Sequence, residues 1–399
     1  MTRILLSIAC LISCGIGVAQ DLIITNARII DGTGATIDRG SVVVADGRIT
    51  SVLEGDTDAP GDRIDARNMS VMPGMIDTHV HLLSGRSESQ AALDEFIEQR
   101  LPGGLSEYLE RGFTTLLSTG DATDAILSVR QSVRDGTLRG PRLLASGAIF
   151  TAPGGHPAAT VCGDNSFCLE TFVVEAADTE TARQEVRRLA EAGVDVIKAV
   201  YGAQPGLPIL EDDVFEAIAD EASSQDLPFV VHINGDTAIR ALELGANRFV
   251  HPPIRRAEDL SEISRKLAET PIPFATTVQR YIQNPRPAEL EVDLAGIRRL
   301  WADGHSIVFG TDRPPGRAPS EAISNEIGAL ARVLSSAEII DALTRKAAEF
   351  LYLDDEIGTL EPGKVADMVI IDANPLEDIA MLERVAVVIQ GGRIVVDNR

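Results

Sequence analysis

Residues 73–82 read PGMIDTHVHL, a short apolar run that leads into two histidines separated by one residue. Seven more short apolar runs follow along the chain, and amphipathic stretches such as 179–192 and 213–224 lie between them. The eight runs are residues 75–77, 114–117, 142–145, 194–198, 229–231, 248–250, 273–275 and 307–309. This alternation is typical of repeated βα units around a parallel sheet, so it predicts an α/β fold.

The polar residues at the ends of these runs favour one type of α/β fold. Five of the runs end in, or lead into, candidate metal ligands, which are His79 and His81, Lys198, His232, His251 and Asp312. A doubly wound open sheet would spread these side chains over more than about 20 Å, because neighbouring strands lie about 4.8 Å apart. A barrel gathers them on one face. We therefore predict a (β/α)8 TIM-like barrel over residues 71–352.

Both ends of the chain carry strand patterns instead of βα units. The dipeptide Asp46-Gly47 suits a two-residue hairpin turn, and residues 387–394 repeat the pattern of residues 42–49. Similar segments at opposite ends of a chain can pair with each other. We predict that residues 20–70 and 353–399 form one small β-sandwich domain, into which the barrel is inserted.

The composition excludes several classes of protein. With 44% hydrophobic and 24% charged residues, the chain of 399 residues is too apolar to be disordered. Its 36 Lys and Arg against 60 Asp and Glu give a net charge of −24, whereas nucleic acids and anionic lipids attract clustered positive charge. We therefore expect no nucleic-acid partner.

The first nineteen residues have the features of an export signal. Arg3 precedes an apolar run too short to span about 30 Å of hydrocarbon, and Gly17 and Ala19 are the small residues that signal peptidase requires. We predict that residues 1–19 are a signal peptide and that the mature protein is periplasmic or secreted. The segment around Cys14 also resembles a lipobox, in which this cysteine would carry a lipid anchor. No later stretch is apolar enough to span a bilayer.

If cleavage follows Ala19, the mature chain keeps only Cys162 and Cys168, with five residues between them. In an oxidising compartment a disulfide is the expected state, and closing so short a loop contributes about 2 kcal/mol. Two free loop cysteines are the alternative. A cysteine-based zinc site is disfavoured because no second cysteine pair exists.

The first three ligand candidates differ in how directly they indicate metal. His79 and His81 project to the same side of an extended segment, so both can bind one ion. Lys198 ends an apolar run, where an ammonium group would lose several kcal/mol of hydration. A neutral amine avoids this cost and can react with CO2 to form a carbamate whose two oxygens bridge two metals. The alternative is a lysine that extends into solvent at the strand end.

The remaining candidates indicate a metal site only when they are considered together with the others. His232 and His251 lie 19 residues apart on successive predicted strands, and either histidine alone could be a core residue. Together with the other candidates they indicate metal ligands. Asp312 follows the last strand and could otherwise cap the next helix.

These segments resemble the metal-dependent amidohydrolase superfamily, and most closely its prolidase-like and imidazolonepropionase-like branch. The resemblance covers nearly the whole mature chain. It rests on PGMIDTHVHL, Lys198, VVHINGDTAIRALELGANRFVHP (230–252), GTDR (310–313) and LTRKAAEFLYLDDEIGTLEPGKVADMVIID (343–372). It implies that the first two histidines hold one metal and the next two histidines hold the second metal. A carbamylated Lys198 is implied to bridge the two metals. In the same relatives the aspartate equivalent to Asp312 binds the first metal and transfers the proton.

The resemblance implies a hydrolase that cleaves an amide bond of a small dipeptide or N-acyl amino acid. A hydroxide bridging the two metals attacks the carbonyl, and Asp312 accepts the proton and returns it to the departing nitrogen. Nitrogen and oxygen ligands fit zinc, although manganese, cobalt or iron would satisfy the same atoms. A lactone, ester, carbamate or cyclic-amide hydrolase is the alternative, and a non-catalytic metal-binding protein is a minor one.

Substrate contacts are expected from loops at the same face. The resemblance implies that His156, in a GGH loop, and Tyr201 contact the substrate carbonyl. Arginines at the mouth could bind a substrate carboxylate, with surface ion pairing as the alternative. These arginines are Arg255, Arg256, Arg280, Arg313 and Arg317. His305 precedes the eighth run, at the opposite end, and is expected to be structural. We also expect a homo-oligomer.

Overall fold

The computed structural model describes residues 21–83, 85–202, 204–254 and 259–399. The predicted signal peptide, Cys14, Arg255 and Arg256 therefore lie outside the described residues. The strands are β1 (Leu22–Ile30), β2 (Thr36–Ala45), β3 (Arg48–Glu54), β4 (Asp62–Asp65), β5 (Ser70–Pro73), β6 (Met75–Val80), β7 (Phe113–Ser118), β8 (Arg142–Ala145), β9 (Ile149–Thr151), β10 (Val173–Glu175), β11 (Ile197–Val200), β12 (Phe229–His232), β13 (Arg248–Val250), β14 (Phe274–Ala275), β15 (Ile307–Val308), β16 (Met368–Ile371), β17 (Val385–Gln390) and β18 (Arg393–Asp397).

The helices surround the central strands and include both of the stretches predicted as helical. They are α1 (Gln90–Gln99), α2 (Leu101–Glu110), α3 (Thr123–Arg134), α4 (Ser166–Thr171), α5 (Thr179–Ala192), α6 (Asp212–Ser224), α7 (Ala238–Glu243), α8 (Leu260–Glu269), α9 (Arg280–Gln283), α10 (Pro287–Ala302), α11 (Pro319–Leu330), α12 (Ser336–Leu343) and α13 (Arg345–Phe350). A π-helical turn spans Ala158–Cys162. Within the described ranges, no helix has the length and apolar character needed to cross a bilayer.

Strands from both ends of the chain form one mixed sheet of eight strands. Its order is β18-β17-β16-β5-β1-β2-β3, with β4 paired to β1. The two ends meet where β16 runs antiparallel to β5, with Val369 opposite Met72. Both ends of the chain therefore contribute strands to one sheet, while the two-layer sandwich domain stays a prediction. Strand β5 begins at the domain boundary predicted at residue 70 and pairs with β1 and β16 in this sheet.

Two tight hairpins lie against each other in this sheet. Asp46 and Gly47 join β2 to β3 with φ of 50° and 77°, as a type I′ turn requires, so this predicted turn is confirmed. Gly391 and Gly392 join β17 to β18 with φ of 56° and 75°. A Cβ on Gly392 would lie 2.6 Å from Cα of Gly47, so the contact between the hairpins leaves no space for a side chain.

Each of the eight predicted runs contains or overlaps a strand, and these strands lie in two parallel sheets. One sheet has the order β6-β7-β8, and the other has the order β10-β9-β11-β12-β13-β14-β15. The sequence analysis did not predict the short strands β9 and β10, which lie between the third and fourth runs. Backbone hydrogen bonds connect the two sheets at both junctions. Thr78 N donates to Phe309 O over 3.2 Å, and Asp195 N donates to Ala145 O over 2.8 Å.

One side chain from each of the eight runs packs into a single buried cluster. These residues are Ile76, Leu117, Leu144, Val196, Val230, Val250, Ala275 and Val308. Phe350 at the end of α13 joins this cluster, and its carbonyl accepts a hydrogen bond from Arg248 at the start of β13. Helix α13 therefore covers the amino ends of the strands, and the polar residues at their carboxyl ends lie on the opposite side.

Candidate metal centre

The carboxyl ends of the parallel strands open into a cavity of about 550 Å³. Strand β6 and the residue after it contribute His79 and His81, β11 contributes Lys198, and β12 ends at His232. Asp312, which follows β15, also lines the cavity. His251 directly follows β13 and lies behind the lining, where it contacts the rings of His79 and His232. The structure thus brings together all six predicted metal ligands.

Asp312 lies between the first two histidines. Its Oδ1 is 3.3 Å from Nε2 of His79 and 3.1 Å from Nε2 of His81. The backbone places it there, because Asp312 N donates to the His79 carbonyl over 2.8 Å and Asp312 adopts a left-handed conformation with φ of 53°. Two imidazole nitrogens and one carboxylate oxygen therefore face a common point.

His232 and His251 form the second histidine pair. Nε2 of His251 lies 2.9 Å from Nδ1 of His232, and the ring centroids are 4.4 Å apart at an angle of 81°. The ligand atoms of His79, His251 and Asp312 all lie within 4.8 Å of one another. The two pairs are therefore neighbours around one site.

Lys198 is the unusual member of the group. Its side chain is 1% exposed, and within the described part of the chain its Nζ has no hydrogen-bond partner. Burial lowers the pKa of this amine to about 7, although the negative charge of Asp312 acts in the opposite direction. A buried amine without a partner is costly unless another group occupies the space in front of it.

Burial also determines the charge state of the other ligands. It lowers the pKa of His79 to about 3 and holds the pKa values of His232 and His251 well below their usual range. For Asp312, burial favours the neutral acid, but hydrogen bonds from His79 and His81 outweigh it and keep its pKa well below the ordinary value. At neutral pH the site thus presents the neutral imidazoles of His79, His232 and His251 and the carboxylate of Asp312, which are the forms that bind metal.

These donors fit divalent metal ions. Imidazole nitrogen and carboxylate oxygen, without thiolate among the six candidates, are ligands for zinc and for similar first-row ions. The partnerless amine of Lys198 lines the same cavity and leaves room for one further group.

The comparisons with known proteins agree with this geometry. The sequence profile of the amidohydrolase family matches residues 70–395. This chain belongs to the amidohydrolase family. It is 28% identical to an imidazolonepropionase from Symbiobacterium thermophilum, over 94% of this chain and 92% of the relative. An ochratoxinase from Aspergillus niger is 23% identical, over 94% of this chain and 87% of the relative.

Solved structures extend the comparison. A prolidase complexed with N-methylphosphonate-L-proline has a TM-score of 0.79 and 26% identity, and the match covers 94% of this chain and 99% of the prolidase. The predicted superfamily is therefore confirmed. This amidohydrolase is a metal-dependent enzyme that acts on carbon–nitrogen bonds.

Two threonines that the sequence analysis missed orient histidines of this amidohydrolase. Nδ1 of His79 lies 2.8 Å from Oγ1 of Thr119, and Nδ1 of His251 lies 2.8 Å from Oγ1 of Thr277. Hydrogen bonds of this kind fix the ring and leave the other nitrogen for a metal. Their position in the sequence could have indicated them, since Thr119 directly follows β7 and Thr277 lies two residues beyond β14 at the same edge.

Asp77 was also missed, although it lies within PGMIDTHVHL. Its Oδ1 accepts from the backbone N of His79 at 3.1 Å and of Thr311 at 3.0 Å, and its Oδ2 accepts from Thr311 Oγ1 at 2.7 Å. Burial raises the pKa of Asp77 to about 7. Asp77 therefore joins the segment of His79 to the segment of Asp312.

Of the two residues expected to contact the substrate carbonyl, one reaches the cavity. His156 lines it, with its ring centroid 5.1 Å from that of His232, and burial lowers the pKa of His156 to about 4. Tyr201 does not reach the cavity, so its predicted role is corrected. Its side chain is buried against Phe215, and its hydroxyl donates to the Asp212 carboxylate.

The predicted arginines differ in whether they reach the cavity. Arg280 and Arg317 line the cavity. Arg313 does not, because its guanidinium is buried against Tyr108 and donates to the Tyr108 hydroxyl and the Arg317 carbonyl. The substrate role predicted for Arg313 is therefore wrong. His305 lies away from the cavity and bonds Ser264 at 2.9 Å, consistent with a structural role.

Proposed function

We propose that this amidohydrolase cleaves the amide bond of a small dipeptide or an N-acyl amino acid at a centre of two zinc ions. The observation that carries the proposal is the convergence of six candidate ligands on one site: five line the cavity, with the buried amine of Lys198 among them, and His251 contacts two of them from behind. His79, His81 and Asp312 would hold one ion, and His232 and His251 would hold the other.

Lys198 is proposed to bridge the ions as a carbamate. Because burial lowers its pKa to about 7, a substantial fraction of the amine is neutral at physiological pH. The nitrogen lone pair forms a bond to the carbon of CO2, and one N–H proton leaves to solvent. The resulting anion places two oxygens where the amine now has no partner.

Bound divalent ions would supply Lewis acidity: they would lower the pKa of a bound water to about 7 and polarise a carbonyl. Asp312 is ionised at neutral pH and lies at the edge of the cavity, so it can accept a proton from the attacking water and return it to the leaving nitrogen. Nδ1 of His156 lies 2.5 Å from Thr160 Oγ1. If this nitrogen accepts from the hydroxyl, the opposite N–H of the neutral ring can donate to the substrate carbonyl oxygen.

Arg280 is proposed to bind the substrate carboxylate. It lines the cavity, and its buried Nε has no hydrogen-bond partner within the described residues. A guanidinium can hold a carboxylate through two parallel hydrogen bonds. The similarity to a prolidase bound to a ligand built on L-proline supports a substrate of this size and charge.

The wider architecture and location are also proposals. The cluster with one side chain from each of eight strands, and the hydrogen bonds at both sheet junctions, support closure into a (β/α)8 barrel. We further propose a β-sandwich arrangement of the terminal sheet. We also propose export to the periplasm or outside the cell after removal of residues 1–19, with a lipid anchor at Cys14 as the alternative form of processing, and assembly into a homo-oligomer.

The Asp312→Asn variant tests the proton transfer. With zinc-loaded protein and a panel of dipeptides and N-acyl amino acids, read by mass spectrometry, kcat should fall by about 100-fold or more. Asp38→Asn, an exposed change on β2, is the control and should leave kcat unchanged. Undiminished turnover in the Asp312 variant excludes the proposed role. Hydrolysis of oxyesters with matched amides left intact would identify an ester or lactone hydrolase instead.

A further inference from the structure

One wall of the cavity is built by the β9–β10 segment, residues 152–172, which the general βα pattern does not require. The cavity-lining residues of this segment are His156, Pro157, Val161, Cys162, Cys168 and Phe172. The segment combines the π-helical turn with the short helix α4. It therefore shapes the cavity without contributing any of the six predicted metal ligands.

A disulfide and one asparagine hold this segment in place. Cys162 at the end of the π-helical turn is bridged to Cys168 in α4, which confirms the predicted pairing. Oδ1 of Asn165 accepts from the backbone N of Cys168 at 3.1 Å, and its Nδ2 donates to the Ser87 carbonyl at 2.8 Å. The segment is thus fastened within itself and to the loop after β6.

Apart from His156, the face that this segment turns to the cavity is apolar. A Cβ built on Gly85 would lie 3.4 Å from Cγ1 of Val161, 3.7 Å from Sγ of Cys168 and 3.8 Å from Cδ1 of Phe172, so these groups form one continuous patch. Val161 is 44% exposed although it is apolar. An exposed apolar side chain at a cavity mouth is a typical contact for an apolar ligand group.

Ile149 extends this apolar wall to the first histidine pair. A Cβ on Gly120 would lie 2.2 Å from Cδ1 of Ile149 and 3.8 Å from Nδ1 of His81, so Ile149 and His81 are neighbours. Arg280 follows β14 instead, and its charge acts on His232 and His251. The apolar side chain of Ile149 and the cationic Arg280 therefore lie beside different histidine pairs, and Arg86 and Arg317 also line the cavity.

We infer that this disulfide-held wall is the subsite for the acyl group and selects substrates with a bulky apolar acyl chain, aromatic or branched aliphatic. The inference rests on the proposed function and deepens it by naming the substrate class. The amide carbonyl lies at the ligands, the carboxylate lies at Arg280, and the acyl chain packs on Val161, the Cys162–Cys168 bridge and Phe172. A cavity of about 550 Å³ is in the range that holds drug-sized ligands, roughly 300–1,000 Å³, and an acetyl group would leave most of it unfilled.

Paired substrates test the subsite by kinetics. The wild type should hydrolyse N-phenylacetylglycine with a kcat/KM at least about 10-fold above that for N-acetylglycine, because even one methylene in an apolar pocket is worth roughly 10-fold. In a Cys162→Ser/Cys168→Ser double variant, KM for the phenylacetyl substrate should rise about 10-fold. The ratio of kcat/KM for the phenylacetyl substrate to that for the acetyl substrate should fall toward one.

Binding without turnover provides the second readout. Calorimetry should show that phenylacetate binds the wild type, and that Val161→Asp weakens this binding at least about 10-fold. Leu53→Asp is the matched control, because Leu53 is 39% exposed on β3, in the terminal sheet, and should leave binding unchanged. This pair of variants decides the question if the cysteine variant does not fold.

The outcomes separate the two proposals. Hydrolysis of both substrates at equal efficiency, with phenylacetate binding unaffected by Val161→Asp, overturns the subsite and leaves the amidase proposal standing. Failure to hydrolyse either substrate, with phenylacetate binding that depends on Val161, overturns the amidase proposal and supports the subsite. Absence of phenylacetate binding to the wild type overturns the subsite.

Discussion

Nδ1 of His251 lies 2.8 Å from Oγ1 of Thr277, and this contact joins the carboxyl ends of the neighbouring strands β13 and β14. Both residues adopt left-handed conformations, with φ of 79° for His251 and 47° for Thr277. Such conformations are rare for a β-branched residue. The contact fixes the His251 ring so that its other nitrogen faces His232. Thr277 is thus a positioning residue for the site.

A Thr277→Val substitution should weaken zinc binding by about 10- to 100-fold, because it removes the partner that orients His251 while keeping the shape of the side chain. Competition with a chromophoric chelator measures the change. Thr115→Val is the matched control, since the Thr115 hydroxyl is also buried on a strand but has no hydrogen-bond partner within the described residues. Equal zinc affinity in both variants would contradict the positioning role.

Glu326 on α11 forms a hydrogen bond to the segment after β14 that contains Thr277. Its side chain is fully buried, and its Oε2 accepts from the backbone N of Gln279 at 2.7 Å. The side chain of Gln279 in turn donates to the Thr311 carbonyl at 2.6 Å. Burial raises the pKa of Glu326 to about 8.

The raised pKa predicts a pH-dependent stability. Between the ordinary value of 4.5 and about 8, the folded state keeps a proton that the unfolded chain has lost. The stabilising contribution is therefore complete below pH 4.5 and declines as the pH rises to about 8. In urea unfolding of metal-free protein, Glu326→Gln should gain stability relative to wild type between pH 5 and pH 8, on the order of a few kcal/mol. Glu269→Gln, an exposed change on α8, should show no such gain. If the stability difference between Glu326→Gln and wild type does not change with pH, the pKa of Glu326 is not raised in the folded state.

Tyr201 provides a test of the corrected substrate contacts. Because its hydroxyl donates to Asp212 away from the cavity, Tyr201→Phe should lower the free energy of unfolding by about 1 kcal/mol and leave kcat within about twofold. Thermal unfolding and steady-state kinetics measure the two effects. A fall in turnover of about 100-fold with unchanged stability would instead support the catalytic role that the sequence predicts for Tyr201.

Arg280 should determine affinity for the substrate carboxylate. Arg280→Met is expected to raise KM for an N-acyl amino acid by about 10- to 100-fold with little change in kcat, because a charged hydrogen bond is lost in ground and transition states alike. The amide-capped form of the same substrate should be unaffected. Arg188→Met, on the exposed face of α5, is the control variant. An equal loss with the capped substrate would show that Arg280 does not bind the carboxylate.

The sequence was sufficient to predict which positions meet at the site. His79, Lys198, His232 and Asp312 each follow or end an apolar run, and parallel strands bring their carboxyl ends to one edge whatever the intervening helices do. The directions of side chains near those ends were less predictable. Tyr201 follows β11 as closely as the ligands follow their strands, yet its ring turns to Phe215 because an apolar neighbour and the Asp212 carboxylate satisfy it there.

Contacts between distant segments could not be predicted from the sequence pattern either. Arg313 packs on Tyr108, 205 residues earlier in the chain, and nothing local to Arg313 indicates this partner. The short strands β9 and β10 have three residues each, too few for a periodicity to be recognised. They form part of the cavity wall because β9 pairs with β11.

The central claim is a two-metal centre built on Lys198, and the metal content of the loaded protein tests it most directly. After loading with zinc and bicarbonate and removal of free metal, mass spectrometry of the metals should find two zinc ions per chain in the wild type. Lys198→Met, which cannot form a carbamate, should retain one ion or fewer. Wild-type protein that retains no transition metal under these conditions, or a Lys198→Met variant that still holds two, would contradict the account.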